Sequence, residues 1–162
     1  MHPVSSRDGV QVYVNLTRSP AVQHISQQPH ILTLAKELLE SVKFSGPKLI
    51  IEHDFGRVIG NTDVVETTDK DTVVYAKKIR QNTFCRFVRR RQLAPSQFLS
   101  MLMIKDDAGN FELRDIWVGR QVPPFPGEED ATAESKTYWE NHALVVDGHA
   151  LQLSTLTKDV PY

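Results

Sequence analysis

An α+β domain, with an N-terminal helix, a mainly antiparallel sheet and a C-terminal helix, is predicted from three observations. One run near the N-terminal end has helical spacing, a succession of short strand-like runs follows it, and a final run before the tail reads as a second helix. Strands that can pair as neighbours, flanked by segregated helices, describe this class.

The first run, DGVQVYVNL over 8–16, alternates apolar and polar residues after an Asp-Gly turn signal and predicts a short strand. The following SPAVQHISQQ is polar and irregular. In PHILTLAKELLESVKF the residues Ile31, Leu32, Leu34, Ala35, Leu38, Leu39 and Val42 recur at helical spacing, between Pro29 and Gly46-Pro47. KLIIEHDF reads as a strand entering a Gly-bounded loop, and DTVVYAKKI as another. FLSMLMIKDDAGNFELRDIWVGR is two strand-like runs joined by Asp-Asp-Ala-Gly-Asn, a hairpin with Gly109 available for a positive-φ position, onto which the 31–42 helix packs. Three prolines and a glycine make QVPPFPGEED a surface loop. TAESKTYWENHALVV, with Asp130 or Thr132 as N-cap, predicts a helix of about three turns. The tail LQLSTLTKDVPY adds an edge strand or frays.

At 162 residues and 40% hydrophobic content, a single domain over 1–162 is expected, with 1–7 and 155–162 open to fraying. No apolar run approaches the roughly 20 residues that cross a bilayer, and the first residues lack a signal-peptide layout, so a cytoplasmic protein without membrane contact is expected. The single cysteine, Cys85, has no second thiol to pair with and reads as a small, half-buried side chain.

Lys77 to Arg91, KKIRQNTFCRFVRRR, is the chemical anomaly. It holds seven basic residues and no acidic one in a chain of net charge −1. Ile79, Phe84, Phe87 and Val88 interleave with the cations, the pattern of a partly buried strand or short helix with a cationic face. Such a face attracts phosphate, and an adjacent aromatic can stack on an unpaired base. The competing reading is a solvated face balanced by Glu66, Asp69 and Asp71. Of the histidines, His53 and His142 each follow an apolar stretch at an element's end, from which catalytic groups are often presented. His2, His24 and His149 sit in polar or terminal surroundings, and His30 at a helix start.

Gly-rich phosphate loops are absent, as are HExxH, CxxC, EF-hand and GxSxG patterns, so no cofactor or metal is expected. The acidic cluster Asp63, Glu66, Asp69 and Asp71 is better explained by turns and caps. The remaining inventory of His, Lys, Arg and hydroxyl groups suits cleavage of RNA by its own 2′-hydroxyl, which needs a base, an acid and cations around the phosphate.

The stretches RVIGNTDVVETT, CRFVRRR, the hairpin ending in WVGR, QVPPFPG and YWENHALV resemble small, uncharacterised bacterial proteins associated with the barnase, EndoU, colicin and RelE superfamily of ribonucleases. This resemblance covers roughly residues 50–146. It implies a helical part followed by an antiparallel sheet whose face carries the catalytic groups. By type and position it places His53, Lys77, Arg86 and His142 in catalysis. Lys78, Arg80, Arg89, Arg90 and Arg91 are expected to bind RNA phosphates. The functional expectation is a metal-independent ribonuclease, of toxin type and restrained by an inhibitory protein partner. Its alternatives are a non-catalytic module for RNA or a phosphorylated ligand, and a protein-interaction domain.

Overall fold

Asp8 and Gly9 both take positive φ, 53° and 78°, the backbone of a primed turn whose twist matches the strands it joins. They open a hairpin at the start of a computed structural model of the chain, which describes residues 2–15, 17, 20–147 and 149–162. The element order is β1 (His2–Arg7), β2 (Val10–Val14), α1 (Pro20–Gln27), α2 (Ile31–Leu39), β3 (Lys48–Asp54), β4 (Gly60–Thr62), β5 (Val64–Glu66), β6 (Thr72–Lys77), β7 (Phe84–Arg89), β8 (Ala94–Ser96), β9 (Phe98–Lys105), β10 (Phe111–Val118), α3 (Ala133–Asn141) and β11 (His142–Val145), then a 3₁₀ turn at Leu153–Thr155. The class is α+β, as expected. The order of elements departs from expectation at both ends, because a hairpin precedes the first helix and a strand follows the last. Leu16, at the end of the first expected strand, lies outside the described residues. Among the described residues no helix is long and apolar enough to cross a membrane.

The chain's contacts group into two compact units, Met1–Asn61 with Pro95–Gln121, and Thr62–Ala94 with Val122–Tyr162. The short strands β4 and β8 pair with each other.

The first unit is built on a five-stranded sheet of order β1-β2-β10-β9-β3. The expected hairpin forms its centre: β9 and β10 pair antiparallel, with Gly109 at φ 84° and the Asp106 carboxylate accepting the Ala108 and Asn110 N–H groups at 2.9 Å. Leu99, Met101, Met103, Phe111, Leu113, Ile116 and Val118 are buried on one face with Ile31, Leu34, Ala35, Leu38 and Leu39 of α2. The stretch expected to be irregular is helical: α1 spans Pro20–Gln27. Its apolar content is only Ala21, Val22 and Ile25, so its helicity comes from packing on β10 more than from its own propensity.

The second unit has a four-stranded sheet of order β5-β11-β7-β6. Period-two alternation sends Cys85 and Phe87 into a core with Val74, Ala76, Leu144 and Trp139, and sends Val88 into a second cluster with Val65, Ala143 and Val145. The expected C-terminal helix is shorter than predicted. α3 is capped by Thr132, whose N–H is accepted by Ser135 Oγ at 3.0 Å, and stops before HALV. Those residues pair with β5 and β7 as β11, because Ala143, Leu144 and Val145 are worth more inside a sheet than on a helix whose other residues are mainly polar. The expected loop at 121–130 is pinned by Trp139, which donates Nε1–H to Pro123 O at 3.1 Å and stacks on Phe125 at 4.3 Å. The tail is ordered along the outer edge of β6, with bridges Tyr75–Thr157 and Lys78–Leu151.

Candidate functional site

The residues expected to form a site are distributed over both units. His53 is an exposed residue of β3 in the first unit, edge-on to Phe55 at 4.8 Å. Lys77, Arg86 and His142 belong to the second. There the basic run splits along β7. Arg86 points inward from mid-strand and donates from Nη1 to Thr67 Oγ1 at 2.7 Å and to the His142 carbonyl at 2.9 Å, so it ties β7 to β11. The His142 ring lies flat on Tyr138, centroids 4.0 Å apart, and its Nδ1 bonds the Tyr138 carbonyl at 2.9 Å. Lys77 sits over the Phe84 ring at 5.0 Å.

Of the residues expected to bind phosphate, Arg91 forms an ion pair with Asp71 at 3.0 Å. The Thr68 N–H and the Arg91 guanidinium together hold the Asp71 carboxyl below its ordinary range. Lys78 is half-buried near Asp63. Arg80, Arg89 and Arg90 are exposed, with Arg80 and Arg90 at positive φ in the turns that flank β7. Apart from Arg86, the cations therefore lie towards the two ends of a six-residue strand, and Arg86 and Arg91 have internal partners.

A second histidine pair lies in this unit. His149 Nε2 meets Asp63 Oδ2 at 2.6 Å, and its ring is against Phe87. Burial alone would raise the Asp63 carboxyl, but the His149 hydrogen bond and charge, with Lys78 nearby, outweigh it and hold the group low. His149 anchors the segment that leads to the β6 edge.

A cleft lies in the first unit, on the sheet face opposite the core. It has a volume of about 510 Å³ and is lined by Leu102 and Ile104 as an apolar floor, with Asn15, Lys48, Glu112, Arg114 and Asp115 as polar walls. Register explains its layout. Lys48, Ile104 and Glu112 lie in line across β3, β9 and β10. A bulge at Arg114 then breaks the alternation of β10, so that Ile116 and Val118 turn to the core while Asp115 pairs with Leu102 on the open face. α1, packed on β10, brings His24 to this aspartate: its Nδ1 lies 2.9 Å from Asp115 Oδ1, and the same oxygen accepts the Ile116 N–H. An ionised carboxylate can only accept, so Nδ1 donates and Nε2 is left as the ring's acceptor. The His24 side chain is 38% exposed. Arg114 Nε donates to Glu112 at 3.0 Å from a side chain that is 50% exposed. The cleft walls thus carry a guanidinium, an ammonium and a carboxylate that is bonded to the His24 imidazole, around an apolar floor.

Among the described residues, no group of three or more His, Cys, Asp or Glu is placed to hold a metal ion. Comparison with protein-family models, with curated proteins and with solved structures gives no match. The functional reading therefore stands on the chemistry of these side chains.

Proposed function

We propose that the protein is a metal-independent ribonuclease whose reaction takes place in the open-face cleft of the first unit. The observation that carries this reading is the His24–Asp115 pair beside Arg114. An orienting carboxylate fixes the tautomer, as a general base requires, and the Arg114 guanidinium, held by Glu112, brings positive charge to the cleft wall. In this reading His24 Nε2 takes the proton of the 2′-hydroxyl, and the oxygen attacks the adjacent phosphorus as the bond to the 5′-oxygen breaks. Arg114 neutralises the crowded phosphate, and the Lys48 ammonium on the far wall gives its proton to the leaving 5′-oxygen. The products are a 2′,3′-cyclic phosphate and a 5′-hydroxyl. RNA as substrate is supported by the residue inventory and by the resemblance described above. The exposed Arg80, Arg89 and Arg90 favour a second reading, in which the protein holds RNA phosphates without cleaving them.

The test is cleavage of RNA by the purified protein in EDTA. General base catalysis contributes roughly 100 to 10,000-fold, so His24→Ala is expected to slow cleavage by about that much. Asp115→Ala should also slow it, because the ring then loses the acceptor that orients Nδ1. If the His24→Ala protein cleaves normally while His53→Ala or His142→Ala does not, the chemistry belongs elsewhere. RNA bound but left intact by the native protein would establish the second reading.

A further inference from the structure

The last strand of the first unit's sheet is unusually plain for an edge. β3 pairs with β9 in unbroken register over seven residues, Lys48–Ile104 to Asp54–Phe98, with no bulge and no proline inside it. The opposite edge is blunted: β1 contains Pro3 and a register break between Pro3 and Ser5, and Arg7 is turned onto the carbonyls of Glu40 and Val42. On β3 the Pro47 carbonyl accepts the Lys105 N–H and the Phe55 N–H donates to Gln97 O, so odd-numbered backbone groups face β9. By alternation the N–H and C=O groups of Lys48, Ile50 and Glu52 face outward. Ile50, at the middle of this row, is 47% exposed.

Charges on an edge usually discourage pairing, yet here their order is self-complementary. Laid antiparallel on a second copy of itself about a two-fold axis at Ile50, the strand sets Ile50 opposite Ile50 and Lys48 opposite Glu52, twice. Glu52 accepts Arg120 at 3.0 Å and the Gln121 N–H at 2.7 Å within its own chain, so the partner's Lys48 would join an existing ion pair. Centring the pair at Ile51 would place Ile50 against Glu52, and centring it at Glu52 would oppose two carboxylates. Only the Ile50 register covers the exposed apolar side chain and pairs both charges. We propose that β3 is the seam of a two-fold homodimer that pairs in this register. Lys48, Ile50 and Glu52 lie on the sheet's open face, so the seam joins the open faces of two copies side by side. A few paired residues per copy bury far less than the ~800 Å² per partner of a standard interface, so the association is weak and concentration-dependent.

Sedimentation equilibrium from about 1 μM to about 1 mM, the span of moderate to weak affinities, should show mass rising from monomer to dimer. Ile50→Lys, which sets two ammonium groups opposite each other, should remain monomeric with an unchanged circular dichroism spectrum. Directly opposed hydrogen-bonded residues have Cα atoms about 5.5 Å apart, within disulfide range, so Ile50→Cys should give a covalent dimer on mild oxidation. Asp54→Cys, displaced along the strand by several residues, should not. A native protein that stays monomeric throughout, an Ile50→Lys protein that still dimerises, or cross-linking at Asp54→Cys in place of Ile50→Cys would each overturn the proposal.

Discussion

Cys85 lies in the core of the second unit at 1% exposure, and burial pushes its thiol up to about 11. The thiolate, the reactive form, is therefore scarce at neutral pH. The sequence reading of a small, half-buried side chain is right in kind but understates the burial, and the arginines around it in sequence do not activate it, because alternation points Arg86 to the other side of the sheet. In the native protein at pH 8, Cys85 should resist a thiol-specific disulfide reagent, and its modification should follow the rate of unfolding in denaturant. Fast stoichiometric labelling without denaturant would contradict this. His24 shows the reverse case. Its surroundings in sequence are polar and uninformative, and the residue that orients it is 91 positions away. No local pattern can announce such a pair.

At the scale of elements, the strand periods are readable and their interruptions carry the rest. β3, β6 and the β9–β10 hairpin follow from alternation, and α2 from its apolar stripe. The 31–42 helix ends at Leu39, short of Val42. A signal for the cleft is present in FELRDIWV: apolar residues at 111 and 113 resume at 116 and 118, one position out of phase, which is how a bulge looks in sequence. The basic run of β7 is legible as composition but not as geometry, since a strand divides its residues between two faces and two ends. This changes which cations can meet a phosphate. Removing one phosphate-binding cation lowers the salt dependence of RNA affinity by roughly one unit of log–log slope. Arg89→Ala and Arg90→Ala should each lower it by about that amount, while Arg86→Ala should leave the slope unchanged and lower the melting temperature instead, because its partners are Thr67 and the His142 carbonyl. A flattened slope in the Arg86→Ala protein with an unchanged melting temperature would refute that division.

For the molecule as a whole, the sequence contains the α+β class but not the partition into two units. The chain passes between them at residues 61–62, 94–95 and 121–122, and each unit is assembled from separated stretches. Only the last crossing lies in a Pro-rich loop, so composition does not mark the boundaries. The tail is readable in sequence only as a choice between pairing and fraying, since a few backbone bonds decide it. Thr157 exchanges two bonds with Tyr75 at 2.7 and 2.9 Å, Gln152 N–H donates to Lys77 O at 2.8 Å, and Ile79 N–H to Ala150 O at 2.9 Å. These bonds occupy the outer side of TVVYAK, a segment with high β propensity whose central residues are apolar. The tail thus covers a strand edge that would otherwise be open to pairing. A chain ending at Asp147 would leave that side of β6 as a template for further strands, and its light scattering at moderate concentration should climb with time while the intact protein stays clear. Supplying residues 149–162 as a separate peptide should slow that growth, because the peptide can take the place that an incoming strand would otherwise fill.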